Sequence, residues 1–286
     1  APLGKPADAA WPLRYESRPQ PAEAGAPVRE WLRLTLADRL GLALEHSGGA
    51  APARLLRGAI ELGTPTADGP ALPASGMRAR VQMARLDVPA WEAMAERLFA
   101  GEGGGAGWSA ASGAGGAGGA ARDYLPSAWS LRVGELQLDE RVLHEVVSSG
   151  TREGALWHAE VQARELAGRI QFSEGADGRA GKVHARLSRL SIPASMADES
   201  AALLAEPPPH IPALDIVADE FELRGKKLGR LEIEAVNRDV APSRQGARGV
   251  QEWQLSRLAL QTPEASFNAS GRWAVQARAP VPPTDP

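Results

Sequence analysis

Apolar and polar residues alternate with a period of two along much of this chain, the pattern of strands with one dry face. The longest run sets Ala265, Phe267, Ala269, Gly271, Trp273 and Val275 against Glu264, Ser266, Asn268, Ser270 and Arg272. Leu32, Leu34 and Leu36, then Leu40, Leu42 and Leu44, fall on one face of extended chain, and Gly48–Gly49 closes that run. Residues 54–63 and 77–88 read as further strands, separated by a loop holding Pro65, Pro70 and Pro73.

A six-residue motif recurs within this alternation: Met83–Ala84–Arg85–Leu86–Asp87–Val88, Leu187–Ser188–Arg189–Leu190–Ser191–Ile192 and Leu255–Ser256–Arg257–Leu258–Ala259–Leu260. In each copy the apolar positions slip by one residue, as a β-bulge or strand bend would require. A proline follows each copy, at Pro89, Pro193 and Pro263. A second likeness links Trp129, Leu131, Val133, Leu136 and Leu138 to Leu214, Ile216, Ala218, Phe221 and Leu223, 85 residues later and with the same slip. The triplets Asp139–Glu140–Arg141 and Arg224–Gly225–Lys226 are the matching hairpin turns, with Gly225 suited to a positive φ. An ungapped shift of 126 residues aligns Trp157, Ala163 and Leu166 with Trp31, Ala37 and Leu40. Three β units therefore follow one another, with irregular spacing.

Helical spacing occurs in two places. Pro89 opens a short helix with Trp91, Met94, Ala95 and Leu98 on one side, and Pro193 introduces another with Met196, Ser200, Leu203 and Leu204, stopped by Pro207–Pro208–Pro209. Both read as caps on the sheet. The boundaries are a proline-rich lead-in at 1–27, a β unit with its helix at 28–100, and a Gly/Ala/Ser-rich linker at 101–122. A second β unit with its helix follows at 123–209, a third at 210–278, and a proline-rich tail at 279–286. The fold class is mainly β and largely antiparallel, built from irregular repeats with two short capping helices.

Composition narrows the chemistry. With a formal net charge of −3 and no Lys/Arg block, the chain offers no nucleic-acid surface. It has no cysteine, so thiolate metal sites and disulfides are excluded. His46, His144, His158, His184 and His210 are scattered singly, and His158–Ala159–Glu160 lacks the cysteines of a zinc deaminase. Residues 113–118 match a dinucleotide-binding glycine pattern by letter, but no strand precedes them and no helix follows. Leu72–Pro73–Ala74–Ser75–Gly76 reads as a loop, and the sequon Asn268–Ala269–Ser270 lies in mid-strand. Glu220, Glu222, Glu232 and Glu234 alternate with apolar residues as the solvated side of strands. No acid/base pair or cofactor motif emerges, so the expectation is a protein that is not an enzyme and carries no cofactor or metal. The apolar runs fall short of the roughly 20 residues that a helix needs to cross a bilayer. The first residue is Ala rather than Met, which favours a segment excised from a longer protein.

Leu214–Asp215–Ile216, Asp219–Glu220–Phe221–Glu222–Leu223–Arg224–Gly225–Lys226–Lys227–Leu228, Trp253–Gln254–Leu255, Pro263–Glu264–Ala265 and Gly271–Arg272–Trp273 together resemble the late region of YhdP-type proteins, large AsmA-like proteins of Gram-negative envelopes. Arg57–Gly58–Ala59–Ile60–Glu61–Leu62–Gly63 and Leu86–Asp87–Val88–Pro89–Ala90–Trp91 are similar to the same family. The resemblance covers most of residues 28–275 and departs at the Gly-rich insert and at both ends. It implies an elongated, curved, groove-like sheet in the periplasm, held to the inner membrane by an anchor that this chain lacks. It also implies a bridge-like lipid carrier whose apolar groove conducts phospholipid acyl chains between inner and outer membranes, with outer-membrane or periplasmic proteins as further partners. Exposing a phospholipid's roughly 30 methylenes to water costs on the order of 20 kcal/mol, which such a trough would remove. The alternative is a β-rich envelope scaffold or assembly module that docks proteins by strand addition.

The candidate lining in the first unit is Leu34, Leu42, Val81 and Met83. In the second unit it is Leu131, Val133, Leu136, Leu138, Val161, Ile170, Leu187 and Leu190. The third unit contributes Leu214, Ile216, Phe221, Leu223, Leu231, Ile233, Leu255, Leu258 and Phe267. The opposing expectation is a closed sandwich core built from the same faces.

Overall fold

The computed structural model describes residues 10–20, 28–48, 54–91, 93, 123–139, 141–175, 180–193, 211–240 and 250–274. The fold is mainly β, and the chain divides into two compact units, Ala1–Gln171 and Phe172–Pro286. The first holds β1 (Leu13–Gln20), β2 (Arg29–Leu36), β3 (Leu40–Ser47), β4 (Arg54–Leu62), β5 (Gly76–Asp87), β6 (Ala128–Leu138), β7 (Arg141–Glu153), β8 (Leu156–Gln162) and β9 (Leu166–Ser173), whose last residues pass the boundary. The second holds β10 (Lys182–Ile192), β11 (Ala213–Leu223), β12 (Lys226–Val240), β13 (Val250–Gln261) and β14 (Ser266–Ala274). Within each unit the strands lie side by side in the order of the sequence, as an open sheet.

Parallel pairs occur at β4–β5, β5–β6 and β10–β11, while β1–β2, β2–β3, β3–β4, β6–β7, β7–β8, β11–β12, β12–β13 and β13–β14 are antiparallel. Tight turns join β6 to β7 and β11 to β12. Leu223 pairs with Lys226 across Arg224 and Gly225, both at positive φ (52° and 76°), the backbone that a tight hairpin of this twist demands. Leu138 pairs with Arg141 across a turn that starts at Asp139 with φ 51°. Both polar triplets thus turn where the sequence places them.

A parallel pair needs a connection that runs back along the strands. Between β4 and β5 that connection lies over the polar side of β2–β4. Gly41 makes room for it: a Cβ there would sit 2.9 Å from Pro70 Cδ and 3.1 Å from Pro65 Cβ. The Glu61 carboxylate accepts from Thr66 N (2.8 Å) and Oγ1 (3.0 Å), Arg57 donates to Pro73 O (3.2 Å), and Arg78 donates to Ala71 O (2.6 Å). Ala43, Ala59 and Glu45 are buried beneath it. Glu45, 1% exposed, bonds Arg29 at 2.9 Å and also Arg57. Burial pushes its carboxyl up, but the two guanidinium groups outweigh burial and hold it below the usual range.

The apolar slip is a real irregularity. In the pairing of β5 with β6, Met83 faces Val133 and Arg85 faces Glu135, so Ala84 and Gly134 fall between. In β6–β7, Glu145, at φ 55°, falls between His144 and Val146. All three strands take the extra residue at one level, so the register continues while side-chain parity inverts, and Val133, Leu136 and Val146 meet in one cluster. Ser188 lies between the pairs Leu187–Ala218 and Arg189–Glu220 in the same way. Ser256 stands at the register shift of β13.

Register also tests the repeats. Met83–Val133 and Leu86–Leu136 in β5–β6 correspond to Leu187–Ala218 and Leu190–Phe221 in β10–β11, the offsets found in the sequence. Two further expectations need correction. The third Arg-Leu motif lies on β13, which is antiparallel to both neighbours, whereas β5 and β10 each have a parallel partner on their C-terminal side. The 126-residue shift fails as well. Trp31 lies on the polar side, beneath the Arg33 guanidinium, while Trp157 packs on the apolar side against Trp129.

The proline-rich lead-in contains β1, paired with β2 from Leu13–Leu36 to Gln20–Arg29. The first helix begins at Val88, with Asp87 capping it by accepting from Ala90 N at 3.0 Å. The rest of that helix, the linker at 101–122, the second helix and the tail from 279 lie outside the described residues.

Candidate functional site

Residues directly opposite one another on paired strands share a side of the sheet. Tracing pairs across the first unit gives Tyr15, Leu34, Leu42, Ile60, Ala79, Trp129, Gly150 and Ala159 from β1 to β8. The next row is Leu13, Leu36, Leu40, Leu62, Val81, Leu131, Ser148 and Val161. Beyond it stand Met83–Val133–Val146 and, past the slip, Leu86–Leu136–Leu143. In these rows one side of the sheet is therefore apolar over eight strands, apart from Ser148 and Gly150.

The second unit repeats the arrangement. Val183, Leu214, Ala235, Leu255 and Gly271 form one row, and Ala185, Ile216, Ile233, Leu258 and Ala269 the next. Leu187, Ala218, Leu231, Leu260 and Phe267 follow, then Leu190–Phe221 and Ile192–Leu223. Every candidate lining residue of this unit lies on that one side. In the first unit Leu34, Leu42, Val81, Met83, Leu131, Val133, Leu136 and Val161 do so. Leu138 continues the alternation past Leu136, and Ile170 keeps the parity of Leu166, which packs on the Val133 cluster.

Burial separates these residues into floor and surface. Val133, Leu136, Leu187, Phe221 and Leu231 are buried by their neighbours and form the floor. Leu34, Leu42, Val81, Leu131, Val161, Leu214, Ile216, Ile233, Leu255 and Leu258 are half-exposed, and Phe267 is 54% exposed. Among the described residues every strand belongs to the single layer of its unit, whereas a sandwich would cover its inner faces with a second sheet. Val88, at the start of the β5–β6 connection, packs on the Val133–Leu136 cluster from this side.

The opposite side is charged and laced with ion pairs. Asp215 is held below its usual range by the Arg186 guanidinium (2.8 Å), which with the His184 ring (3.0 Å) outweighs burial. Glu232 is lowered by Arg230 (3.0 Å) and Arg257 (2.9 Å). Burial raises Glu165, yet bonds from the His144 backbone (2.9 Å) and ring (2.7 Å) bring it down. These carboxylates are used up in ion pairs. No group of three or more His, Asp or Glu is placed to hold a metal among the described residues.

Pattern reading omitted Leu13 and Tyr15, because prolines surround them, although their i, i+2 spacing was a usable signal. It also left Trp129, Trp157, Trp253 and Trp273 without a role. Leu143 and Val146 come to the same side only through the parity inversion at Glu145.

No helix among the described residues is long and apolar enough to cross a membrane. No curated protein and no solved structure matches the chain. A profile of the YhdP protein family matches residues 1–281. With a match over nearly its whole length, the chain belongs to the YhdP protein family of the cell envelope.

Proposed function

We propose that this chain is a segment of a bridge-like lipid carrier, and that the apolar side of each unit conducts phospholipid acyl chains through the periplasm between inner and outer membranes. The observation that carries the reading is the register: it collects the apolar residues of successive strands on one half-exposed side while ion pairs and a tethered loop occupy the other. Surface of this kind takes up methylenes at about 0.8 kcal/mol each without any reacting group, so the role requires no catalysis, cofactor or metal. Attachment to the inner membrane belongs to the full-length family member rather than to these strands.

A second reading, docking of an envelope protein by strand addition, is favoured by the exposed Leu13 and Tyr15 on β1 and Phe267 on β14, the outermost strands of the order. Photo-crosslinkers at Ile216, Leu258 and Val161, with Val217 and Glu232 as controls on the polar side, separate the two. Lipid adducts restricted to the first set support conduction. Protein adducts at the β1 and β14 edges, with no lipid at Ile216, would replace it with docking.

A further inference from the structure

Within the apolar side of each unit, side chains are sorted along the strand direction. On the paired strands of the first unit the apolar-side aromatic residues with a polar handle lie toward one border, while Trp91, in the helix that follows β5, stands at the other end. Tyr15 and Trp129 share a row, and Trp157 stands in the row outside it, opposite Arg152. Tyr124, whose hydroxyl meets His46 Nε2 at 3.0 Å, precedes β6 at the same end. The rows on the other side of Trp129 are aliphatic apart from Ser148: Val81–Leu131–Val161, Met83–Val133–Val146 and Leu86–Leu136–Leu143.

The second unit shows the same order by its own register. Asn237, Trp253 and Trp273 form the row next to Ala235–Leu255–Gly271, at the position that Arg152 and Trp157 hold in β7 and β8. Its other strand aromatics on this side, Phe221 and Phe267, carry no polar atom and stand further in. The border residues are fixed alike in both units. Arg152 donates to Pro126 O (3.3 Å) and Leu125 O (3.2 Å), while Asn237 donates to Ile211 O and Trp253 to Pro212 O, both at 3.0 Å. Trp129 and Trp157 pack at 5.6 Å between ring centres. Gly150 lies under the Trp129 ring, where a Cβ would overlap Cζ2.

Tryptophan and tyrosine favour the level where hydrocarbon gives way to head groups, because ring and polar atom prefer different media. Phenylalanine and aliphatic residues have no such preference. From the Trp129 row to the Leu136 row is about 23 Å at about 3.3 Å per residue, enough to lay down the roughly 15 Å hydrocarbon of one leaflet along the strands.

We propose that the tryptophan-bearing border of each unit is the head-group side of the lipid path, so that a phospholipid lies with its acyl chains along the strands and its phosphate end beside Trp129 and Trp157, or Trp253 and Trp273. This assignment rests on the conduction reading and adds to it the orientation of the cargo. Arg152 is a positioning residue here, holding its donors on backbone carbonyls while its guanidinium lies 5.5 Å from the centre of the Trp157 ring.

Tryptophan quenching tests it. The full chain is loaded with phosphatidylglycerol carrying a nitroxide either near the head group or near the chain end. Fluorescence loss is compared between the unaltered protein and Trp129→Phe/Trp157→Phe. The difference between proteins reports on this pair alone, and Trp129→Tyr/Trp157→Tyr serves if the first variant does not fold. The expected result is a larger loss from the near-head label. Equal or larger loss from the chain-end label overturns the orientation and leaves conduction standing. No loss from either label, with lipid still crosslinked at Ile216, also overturns this inference alone. No loss together with no crosslink at Ile216 removes both.

Discussion

Ile216→Asp is the sharpest perturbation of the proposed path. Ile216 stands in the row Ala185–Ile216–Ile233–Leu258–Ala269 and is half-exposed, unlike the buried Phe221, so its replacement leaves the floor of the sheet intact. A carboxylate there has two options when an acyl chain arrives. It can lose its water without a partner, which costs several kcal/mol. Otherwise it stays hydrated and holds about three methylenes off the surface, at roughly 0.8 kcal/mol each. The second, cheaper outcome sets the magnitude at about 2–3 kcal/mol, or roughly 30- to 150-fold weaker lipid binding. Val217→Asp is the control. Val217 is the next residue, on the opposite side, paired with Arg186 and Glu232. It loses similar apolar area and strand propensity, yet faces no lipid. The assay is extraction of a fluorescent phospholipid from vesicles by the full chain, normalised to the folded fraction from circular dichroism. Ile216→Asp should lose binding while Val217→Asp keeps it. Equal binding by the two variants, at any level, would refute the assignment of faces.

Glu45→Gln should destabilise the first unit by about 1–3 kcal/mol, below the usual penalty for a broken buried pair because Arg29 and Arg57 still reach water; an unchanged urea midpoint counts against the triad. The lowered carboxyls of Glu45, Glu165 and Asp215 also predict a pH response. Groups of this sign add stability above their unfolded-state values and lose it as pH falls through their folded-state values, so the melting temperature should drop on the acid side of the ordinary carboxylate range. A melting temperature that stays flat there contradicts those ion pairs. Gly150→Val should cost about 1–3 kcal/mol through overlap with the Trp129 ring and the His158 carbonyl. The near-ultraviolet dichroism of the Trp129–Trp157 pair should weaken with it, and an unaltered spectrum would show that the ring is not seated on that glycine.

How far the sequence could be read followed the range of the interactions involved. Alternation in 266–274 and 128–138 reported strands correctly because side-chain direction in extended chain is a local property. The slip at Ala84, Ser188 and Ser256 was legible for the same reason, since two apolar residues three apart cannot otherwise share a side. Turn chemistry at Arg224–Gly225 was equally local. β1 escaped notice because its pairing comes entirely from β2, and nothing in a stretch of prolines and charges announces a partner. The mismatch between Trp31 and Trp157 arose because alignment compares letters, while the side on which a tryptophan emerges is set by strand register.

The sequence alone determined that the chain is built of strands, where their dry positions fall, and that a bulge-like slip recurs. Those features depend on residues close together along the backbone. Only the tertiary structure decided that each strand's dry positions meet those of its neighbours on one side, that the β4–β5 connection crosses the polar side, and that Trp253 and Trp273 face each other while Trp157 packs beside Trp129. The physical reason is that register is fixed by hydrogen bonds between strands many residues apart, and a shift of a single residue would have turned each dry row to the opposite side.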